Sequence, residues 1–208
     1  MRRLGMKMMN SLARSLAAAV LAFGLAATPA AAQFSDGYNF LKAVRDKDVT
    51  KAKGFIDKPG STLINTRDGD SGETALLIVT KRRDAPWMAF LLQNGADTAA
   101  KDKDGNTALI VAASSGFPDG VRVMLSRRPQ VDAANNRGET ALIRAVHAKD
   151  AASVQMLLNA GADPDRTDNL AGMSAREYAA RDIRGGQLAK MMEDAPRKSA
   201  KQVVGPSL

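Results

Sequence analysis

Apolar residues recur along most of this chain in pairs of short runs that are separated by polar turns. A Gly-x-Thr-Ala-Leu motif begins at Gly72, Gly105 and Gly138, and a weaker copy begins at Gly172. Successive copies are therefore separated by a nearly constant interval, with a period of about 33 residues. A fixed period of this length is typical of a repeat protein, in which each unit is one small supersecondary element.

Each unit is predicted to contain two short helices. Thr74, Thr107 and Thr140 precede the apolar run of the first helix, where a hydroxyl caps free backbone N–H groups. The second helix ends in Leu-Leu, after which Gly95 or Gly161 is expected to adopt the left-handed conformation that closes a helix. One such helix pair cannot bury its own apolar face, so the units must stack.

The third unit departs from this pattern where its second helix ends. Arg128 stands in the position of Gly95 and Gly161. If the left-handed geometry is kept, we expect a cost of about 1 kcal/mol at this residue. The third unit is therefore predicted to end differently or to be locally less stable.

Both halves of the repeated motif resemble the ankyrin repeat, whose pattern is G-x-T-P-L-H-x-A-A followed by L-L-x-x-G-A-D. The resemblance covers about residues 38–194, and the chain is similar to exported bacterial, periplasmic ankyrin-repeat proteins. It implies an all-α solenoid of about five stacked helix-turn-helix units with short β-turn tips.

Two positions depart from the family's pattern in every complete unit. The proline is replaced by alanine and the histidine by an aliphatic residue, at Ala75, Ala108 and Ala141 and at Leu77, Ile110 and Ile143. In the family, this histidine ties neighbouring repeats through hydrogen bonds. The apolar replacements therefore predict a stack that depends more on burial than on a polar ladder.

The repeat domain is predicted at residues 33–195, with units at about 36–69, 70–102, 103–135, 136–168 and 169–195. The first unit lacks the opening motif, and we expect its helices at Tyr38 to Val44 and Val49 to Ile56. The first and last units are interpreted as caps, as a solenoid requires. The basic stretch at 196–208 is predicted to be disordered.

The segment 1–32 is predicted to be a secretory signal peptide. A basic start is followed by an apolar run from Leu16 to Ala27, which is shorter than the roughly 20 residues that a membrane span needs. Small residues at Ala30 and Ala32 then favour cleavage between Ala32 and Gln33. We expect a periplasmic protein with no membrane segment after cleavage; a retained N-terminal anchor is the alternative.

Composition limits the chemistry that the chain can carry. The charge of +8 falls to +4 without the segment 1–32, whose charged residues are Arg2, Arg3, Lys7 and Arg14. Because aromatic residues are not interleaved with the basic ones, nucleic-acid binding is not predicted. The absence of cysteine excludes disulfides, thiol catalysis and Cys-ligated zinc.

Candidate catalytic and metal-binding residues are few. His147 is the single histidine, so no second His or Cys joins it as a metal ligand. Acidic residues near 68–73 and 102–105 resemble calcium loops, but they coincide with repeat tips, where Asp and Gly serve turn formation. We therefore predict no cofactor, no metal and no enzymatic activity.

The resemblance places variable contact positions on a concave face, at the ends of the first helices and on the tips. They are Arg45, Asp46, Lys81, Arg82, Ser114, Ser115, His147 and Ala148 on the helices, and Asp70, Ser71, Glu73, Lys103, Asp104, Asn106, Asn136, Arg137 and Glu139 on the tips. The basic run 81–83 is interpreted either as a solvated turn or as a site for an acidic patch on a partner. Trp87 is predicted to pack in the core rather than to anchor a partner.

The leading hypothesis is a monomeric, periplasmic protein-binding scaffold without enzymatic activity. The alternative is an inhibitor or immunity-type protein that blocks one toxin or hydrolase. That alternative predicts a single tight partner, whose association slows when the charges at Lys81, Arg82 and His147 are reversed.

Overall fold

The computed structural model describes residues 29–181 and 186–196. The chain divides into a unit at residues 1–35, of which residues 29–35 are described as helical, and a second unit at 36–208. Most of the predicted signal peptide, at 1–28, and most of the predicted disordered stretch, at 197–208, lie outside the described residues.

The described residues contain ten α-helices, which follow one another in five pairs. In chain order they are α1 Pro29–Arg45, α2 Val49–Ile56, α3 Ala75–Lys81, α4 Ala85–Gln93, α5 Ala108–Ser114, α6 Pro118–Leu125, α7 Ala141–His147, α8 Ala151–Asn159, α9 Ala175–Arg181 and α10 Gly186–Asp194. A short 3₁₀ helix, Leu63–Asn65, lies between the first two pairs. The predicted all-α stack of about five helix pairs is confirmed.

The helices of the repeat unit form two layers. The first helices α3, α5, α7 and α9 contact one another in chain order, and the second helices α4, α6, α8 and α10 do the same. Each first helix from α3 to α9 also packs on the second helix of its own pair. The third and fourth pairs therefore contact a neighbour on both sides.

The core between the layers consists mainly of aliphatic residues. Leu77, Ile110 and Ile143, which replace the family's histidine, are at most 1% exposed. Burial of a Leu or Ile side chain contributes roughly 1.5–3 kcal/mol relative to exposure. Trp87 is also buried, with its ring edge-to-face against Phe90, so its predicted role in packing is confirmed.

The predicted threonine caps are present in all three complete units. The hydroxyl oxygens of Thr74, Thr107 and Thr140 accept hydrogen bonds from the backbone N–H three residues later, at 3.5, 3.3 and 3.3 Å. The fifth unit uses a reciprocal cap, in which Ser174 Oγ accepts from the N–H of Glu177 and Glu177 Oε2 accepts from the N–H of Ser174. The repeated motif thus fixes where each of these helices begins.

Left-handed residues close several helices. Gly95 and Gly161 have φ values of 87° and 85°, as predicted, and Arg128 keeps the same conformation with φ of 49°. Three further residues were not predicted to be left-handed: Lys47, Arg83 and Lys149, with φ of 61°, 59° and 54°. Each carries a strain of about 1 kcal/mol that glycine would not.

One expectation from the sequence needs correction. Helix α1 begins at Pro29 rather than at Tyr38, because Pro is compatible with the first turn of a helix and the residues up to Arg45 continue it. The stack also has polar links between pairs in addition to burial. Asn65, for example, accepts a hydrogen bond from the N–H of Asp97 at 2.8 Å, and Lys101 Nζ donates to the carbonyl of Ala134 at 2.8 Å.

The cap at Thr140 allows the contribution of the repeated hydroxyl to be measured. Thr140→Ala leaves the N–H of Ile143 without its acceptor, so we expect the free energy of unfolding to fall by about 1 kcal/mol. Thr140→Ser keeps the hydroxyl and should lose less than half of that amount. Urea denaturation followed by circular dichroism measures both variants. If the serine variant is as unstable as the alanine variant, packing of the threonine methyl group is the dominant contribution.

Candidate protein-binding surface

The predicted contact positions occupy equivalent places in successive units. Arg45, Lys81, Ser114 and His147 are the last residues of α1, α3, α5 and α7. The remaining predicted positions lie just after these helices or on the tips, the loops that lead into the first helices α3, α5, α7 and α9. The tips are named tip 2 (68–73), tip 3 (102–106), tip 4 (135–139) and tip 5 (168–173).

Each tip is organised by one Asp or Asn side chain at its first residue. Asp102 Oδ1, for example, accepts hydrogen bonds from the N–H groups of Asp104 and Asn106, at 3.0 and 2.8 Å. Asp68, Asn135 and Asp168 accept two or three backbone N–H groups in the same way. These bonds are the turn chemistry predicted for the Asp-rich tips.

Backbone hydrogen bonds join the tips into one row. The N–H of Lys103 donates to the carbonyl of Ser71 at 3.2 Å, and the N–H of Asn136 donates to the carbonyl of Asp104 at 3.0 Å. The N–H of Asn169 donates to the carbonyl of Arg137 at 2.8 Å. The predicted contact residues on tips 2, 3 and 4 are therefore held in register with one another.

Two of the predicted contact cations are engaged within the protein. Arg45 Nη2 lies 2.6 Å from Asp68 Oδ2, while Lys81 Nζ lies 2.5 Å from Glu73 Oε1 and 3.6 Å from Asp102 Oδ2. The backbone N–H of Ser71 and the guanidinium of Arg45 hold the pKa of Asp68 well below its usual value. The hydrogen bond to Glu73 raises the pKa of Lys81.

The rest of the basic run 81–83 also makes internal contacts. Arg82 Nη1 donates to the carbonyl of Val44 at 2.8 Å, and its guanidinium lies over the Trp87 ring. Arg83 Nη2 donates to the carbonyl of Gly116 at 2.9 Å, and its guanidinium lies over the ring of Phe117. The run links the first, second and third helix pairs, which neither interpretation of the sequence anticipated.

Glu139 in tip 4 is buried rather than presented to solvent. Its carboxylate accepts hydrogen bonds from Asn135 Nδ2 at 2.8 Å, Arg137 Nε at 2.9 Å and Arg144 Nη1 at 3.0 Å. Burial raises the pKa of Glu139, but these three donors outweigh burial and leave the pKa below its usual value. Asn136 and Arg137 are the exposed residues of this tip.

A cluster of His147, Tyr178 and Asp168 joins the fourth and fifth pairs. The exposed His147 ring lies edge-to-face against Tyr178, with 4.3 Å between ring centroids, and Tyr178 donates its hydroxyl to Asp168 Oδ2 at 2.5 Å. This hydrogen bond raises the pKa of Tyr178 to about 12. Neither Tyr178 nor Asp168 was predicted from the sequence, although the tip Asp or Asn recurs with nearly the same spacing as the glycines.

The exposure of the predicted positions varies along the row. Exposed are Arg45, Asp46, Asp70, Lys81, Lys103, Asp104, Ser115, Asn136, Arg137, His147 and Ala148; half-buried are Ser71, Glu73, Arg82, Asn106 and Ser114; and Glu139 is buried. Ser115 and Ala148, the exposed residues just after α5 and α7, have small side chains, whereas the exposed His147 at the end of α7 is larger.

Neither a metal cluster nor a membrane span is found in the part of the chain that the structure describes. Within residues 29–181 and 186–196, no group of three or more His, Cys, Asp or Glu side chains is placed to hold a metal ion. Among the helices described, none has both the length and the apolar character needed to cross a bilayer.

The Tyr178 hydroxyl provides a test of the junction between the fourth and fifth pairs. Tyr178→Phe removes a hydrogen bond to a charged group, so we expect the free energy of unfolding at pH 7 to fall by about 2 kcal/mol. Tyr38→Phe, at a residue that is 65% exposed, should change it by less than about 0.5 kcal/mol. Urea denaturation of both variants measures the difference.

The same variant has an expected pH dependence. Burial raises the pKa of Asp168, but donation by Tyr178 and by the N–H groups of tip 5 outweighs burial and lowers the pKa below 3.8. The stabilisation by the hydrogen bond between Tyr178 and Asp168 is therefore complete above pH 3.8 and is lost as the pH falls through the lowered pKa of Asp168. The difference in the free energy of unfolding between Tyr178→Phe and the unmodified protein should shrink as the pH falls below 3.8. A constant difference down to about pH 2 would contradict the assigned hydrogen bond.

The capped helix pairs and their tips correspond to a known repeat family. The sequence profile for ankyrin repeats, in three copies, matches residues 40–134 and, in an overlapping match, residues 88–168. Together these matches cover more than half of the chain. Ankyrin repeats generally bind other proteins, and proteins built from them are typically non-enzymatic binding modules. The chain belongs to the ankyrin-repeat family.

Proposed function

We propose that this protein binds another protein through the row of tips and the adjoining ends of its first helices, the face that the resemblance to ankyrin repeats implies is concave. The observation that carries this proposal is the backbone hydrogen bonding from tip to tip, which holds side chains of successive units in one register. A pre-ordered surface loses little conformational entropy when a partner binds. No catalytic step is assigned to it.

The third and fourth pairs are proposed as the centre of the contact. Ser115 and Ala148 are exposed there, and their small side chains leave room for a larger side chain of the partner. Asn136, Arg137 and Lys103 on the neighbouring tips supply exposed polar groups. Polar residues around the centre of a contact are common in protein interfaces.

The charge of the partner is proposed from the cations that remain exposed on these tips. Lys103 and Arg137 are the cations on the tips next to the proposed centre. Arg137 Nε binds Glu139 at 2.9 Å, but its side chain is still 59% exposed, more than the paired Arg45 and Lys81 at 38% and 48%. An acidic patch on the partner would fit opposite these two residues. Such a contact would contribute mainly to the rate of association.

Export to the periplasm is the second part of the proposal. Its support is the order of residues at the start of the chain: a basic segment, a short apolar run from Leu16 to Ala27, and small residues at Ala30 and Ala32. The absence of cysteine is compatible with an oxidising compartment.

Two exposed alanines allow a matched test of the binding surface. Ala148, just after α7, lies at the proposed centre, whereas Ala152 lies in the second helix α8. Ala148→Arg places a long side chain at the proposed centre and should reduce the amount of partner recovered from a periplasmic extract by at least about tenfold, since clashes at an interface centre cost about 1.4 kcal/mol or more. Ala152→Arg adds the same side chain elsewhere and should leave recovery unchanged.

The outcome against the proposed surface is equally specific. If Ala148→Arg recovers as much partner as the unmodified protein, or if Ala152→Arg alone abolishes recovery, the contact lies elsewhere. Circular dichroism and the urea midpoint of each variant show that the fold is retained before binding is compared.

Processing of the leader is tested by the N-terminal sequence of the protein recovered from the cell envelope. We expect it to begin at Gln33, because cleavage should follow the Ala30-x-Ala32 pattern. Ala32→Arg should block processing, whereas the same change at Gln33's neighbour Phe34 should not. A protein that retains Met1 in the cytoplasm would refute the export proposal.

A further inference from the structure

The last residue of each first helix precedes, by 21 to 23 positions, the Asp or Asn that organises the next tip. The pairs are Arg45 with Asp68, Lys81 with Asp102, Ser114 with Asn135, and His147 with Asp168. The two members belong to successive helix pairs. Whatever joins them therefore links the end of one unit to the tip of the next.

In the first two pairs of residues, a cation faces a carboxylate. Arg45 Nη2 is 2.6 Å from Asp68 Oδ2, and Lys81 Nζ is 3.6 Å from Asp102 Oδ2. In both tips the other carboxylate oxygen, Oδ1, accepts the backbone N–H groups that shape the loop. The cation thus acts on the same carboxylate that determines the conformation of the tip.

In the third pair of residues, both members are uncharged. Ser114 donates its hydroxyl to the carbonyl of Val111 in its own helix at 3.0 Å and, being neutral, offers tip 4 no ion pair. Asn135 instead donates Nδ2 to Asn106 Oδ1 at 3.0 Å. In the first three of these residue pairs, the residue at the helix end is a cation where the first residue of the tip is Asp. It is a neutral residue where the first residue of the tip is Asn.

The fourth pair of residues interposes a tyrosine. Asp168 Oδ2 accepts the hydroxyl of Tyr178, and the His147 ring packs edge-to-face against that tyrosine. The carboxylate again has a donor for Oδ2, but a neutral one from its own helix pair. The helix-end residue of the preceding unit contacts the donor instead of the carboxylate.

We propose that Arg45 and Lys81 are positioning residues of the binding surface, each of which orients the tip of the following unit through its organising carboxylate. The side chain of Asp102 is only 4% exposed, and a buried carboxylate is costly without compensating partners. Asn106 and the N–H groups of tip 3 supply hydrogen bonds, and Lys81 supplies the positive charge. Asp70, Ser71 and Asp104 take their orientation from these tips. The inference rests on the proposed function only in treating the tips as contact loops.

Amide hydrogen exchange measured by NMR on the full chain tests the first link. Arg45→Gln should speed exchange at the amides of Asp70 and Ser71 by about threefold, the loss expected for a partly exposed ion pair, and leave those of Asp104 and Asn106 unchanged. Arg45→Lys keeps the charge and should restore most of the protection.

Lys42→Gln is the matched control for this experiment. Lys42 lies on the same helix and pairs with Asp46 rather than with a tip, so its removal changes net charge equally without touching Asp68. Tip 2 protection should be unchanged in this variant. Equal acceleration in Lys42→Gln and Arg45→Gln, or none in either, would overturn the proposal.

An ion pair introduced at Ser114 and Asn135, which are both uncharged, tests independently whether the helix-end residue positions the next tip. Asn135→Asp alone places an uncompensated carboxylate beside Glu139, so the urea midpoint should fall. Adding Ser114→Lys should recover at least half of that loss, whereas adding Ser115→Lys, one residue beyond the helix end, should recover less. No recovery, or the same recovery from both lysines, would count against positioning by the helix-end residue.

Neither measurement requires a partner. If the Ala148→Arg experiment fails while tip protection responds as expected, the contact surface is wrong and the positioning role stands. If the exchange and midpoint experiments fail while Ala148→Arg abolishes binding, the surface stands and the positioning role is overturned.

Discussion

The structure depends on one constraint, which is that a pair of short helices cannot bury its own apolar face. Leu77, Ile110 and Ile143 are buried only because first helices of successive pairs contact one another. Stability in such a stack is approximately a sum of terms from each unit and each interface. The caps determine where each helix begins, and the contacts between tips determine how one pair is positioned on the next.

Polar contacts determine the register that burial alone leaves loosely defined. Contacts between aliphatic surfaces have no preferred direction. The guanidinium of Arg83, in contrast, lies over the ring of Phe117 and donates to the carbonyl of Gly116, so it permits only a narrow range of positions of the second pair relative to the third. The side chains of Arg82 and Arg83 both work in this way at the interfaces on either side of the second pair. Arg82 and Arg83, which lie in the basic run 81–83, therefore also hold the second pair in register with its neighbours.

Most of the fold could be predicted because it is local and repeated. A few adjacent residues are enough to predict each of the Thr caps, the left-handed Gly95 and Gly161, and the helix Val49–Ile56. The regular period then predicts that these elements recur in successive units.

The contacts of the site could not be predicted in the same way. The contacts of Arg45 with Asp68 and of Tyr178 with Asp168 join residues that are 23 and 10 positions apart, and neither residue type shows which oxygen a long side chain reaches. The left-handed Lys47 and Lys149 were missed because lysine is an unusual choice for that conformation.

The change from the cation Lys81 at the end of α3 to the neutral Ser114 at the end of α5 has a consequence for how the chain avoids errors during folding. Units with nearly identical motifs could dock out of order and still bury similar aliphatic surfaces. Docking of tip 4 after the second unit, with the third unit skipped, would place Lys81 next to the amide of Asn135. This wrong junction loses the ion pair between Lys81 and Asp102 that the correct junction has. The residue at the end of α3 therefore distinguishes the correct neighbour from a skipped one, even where the motif itself repeats.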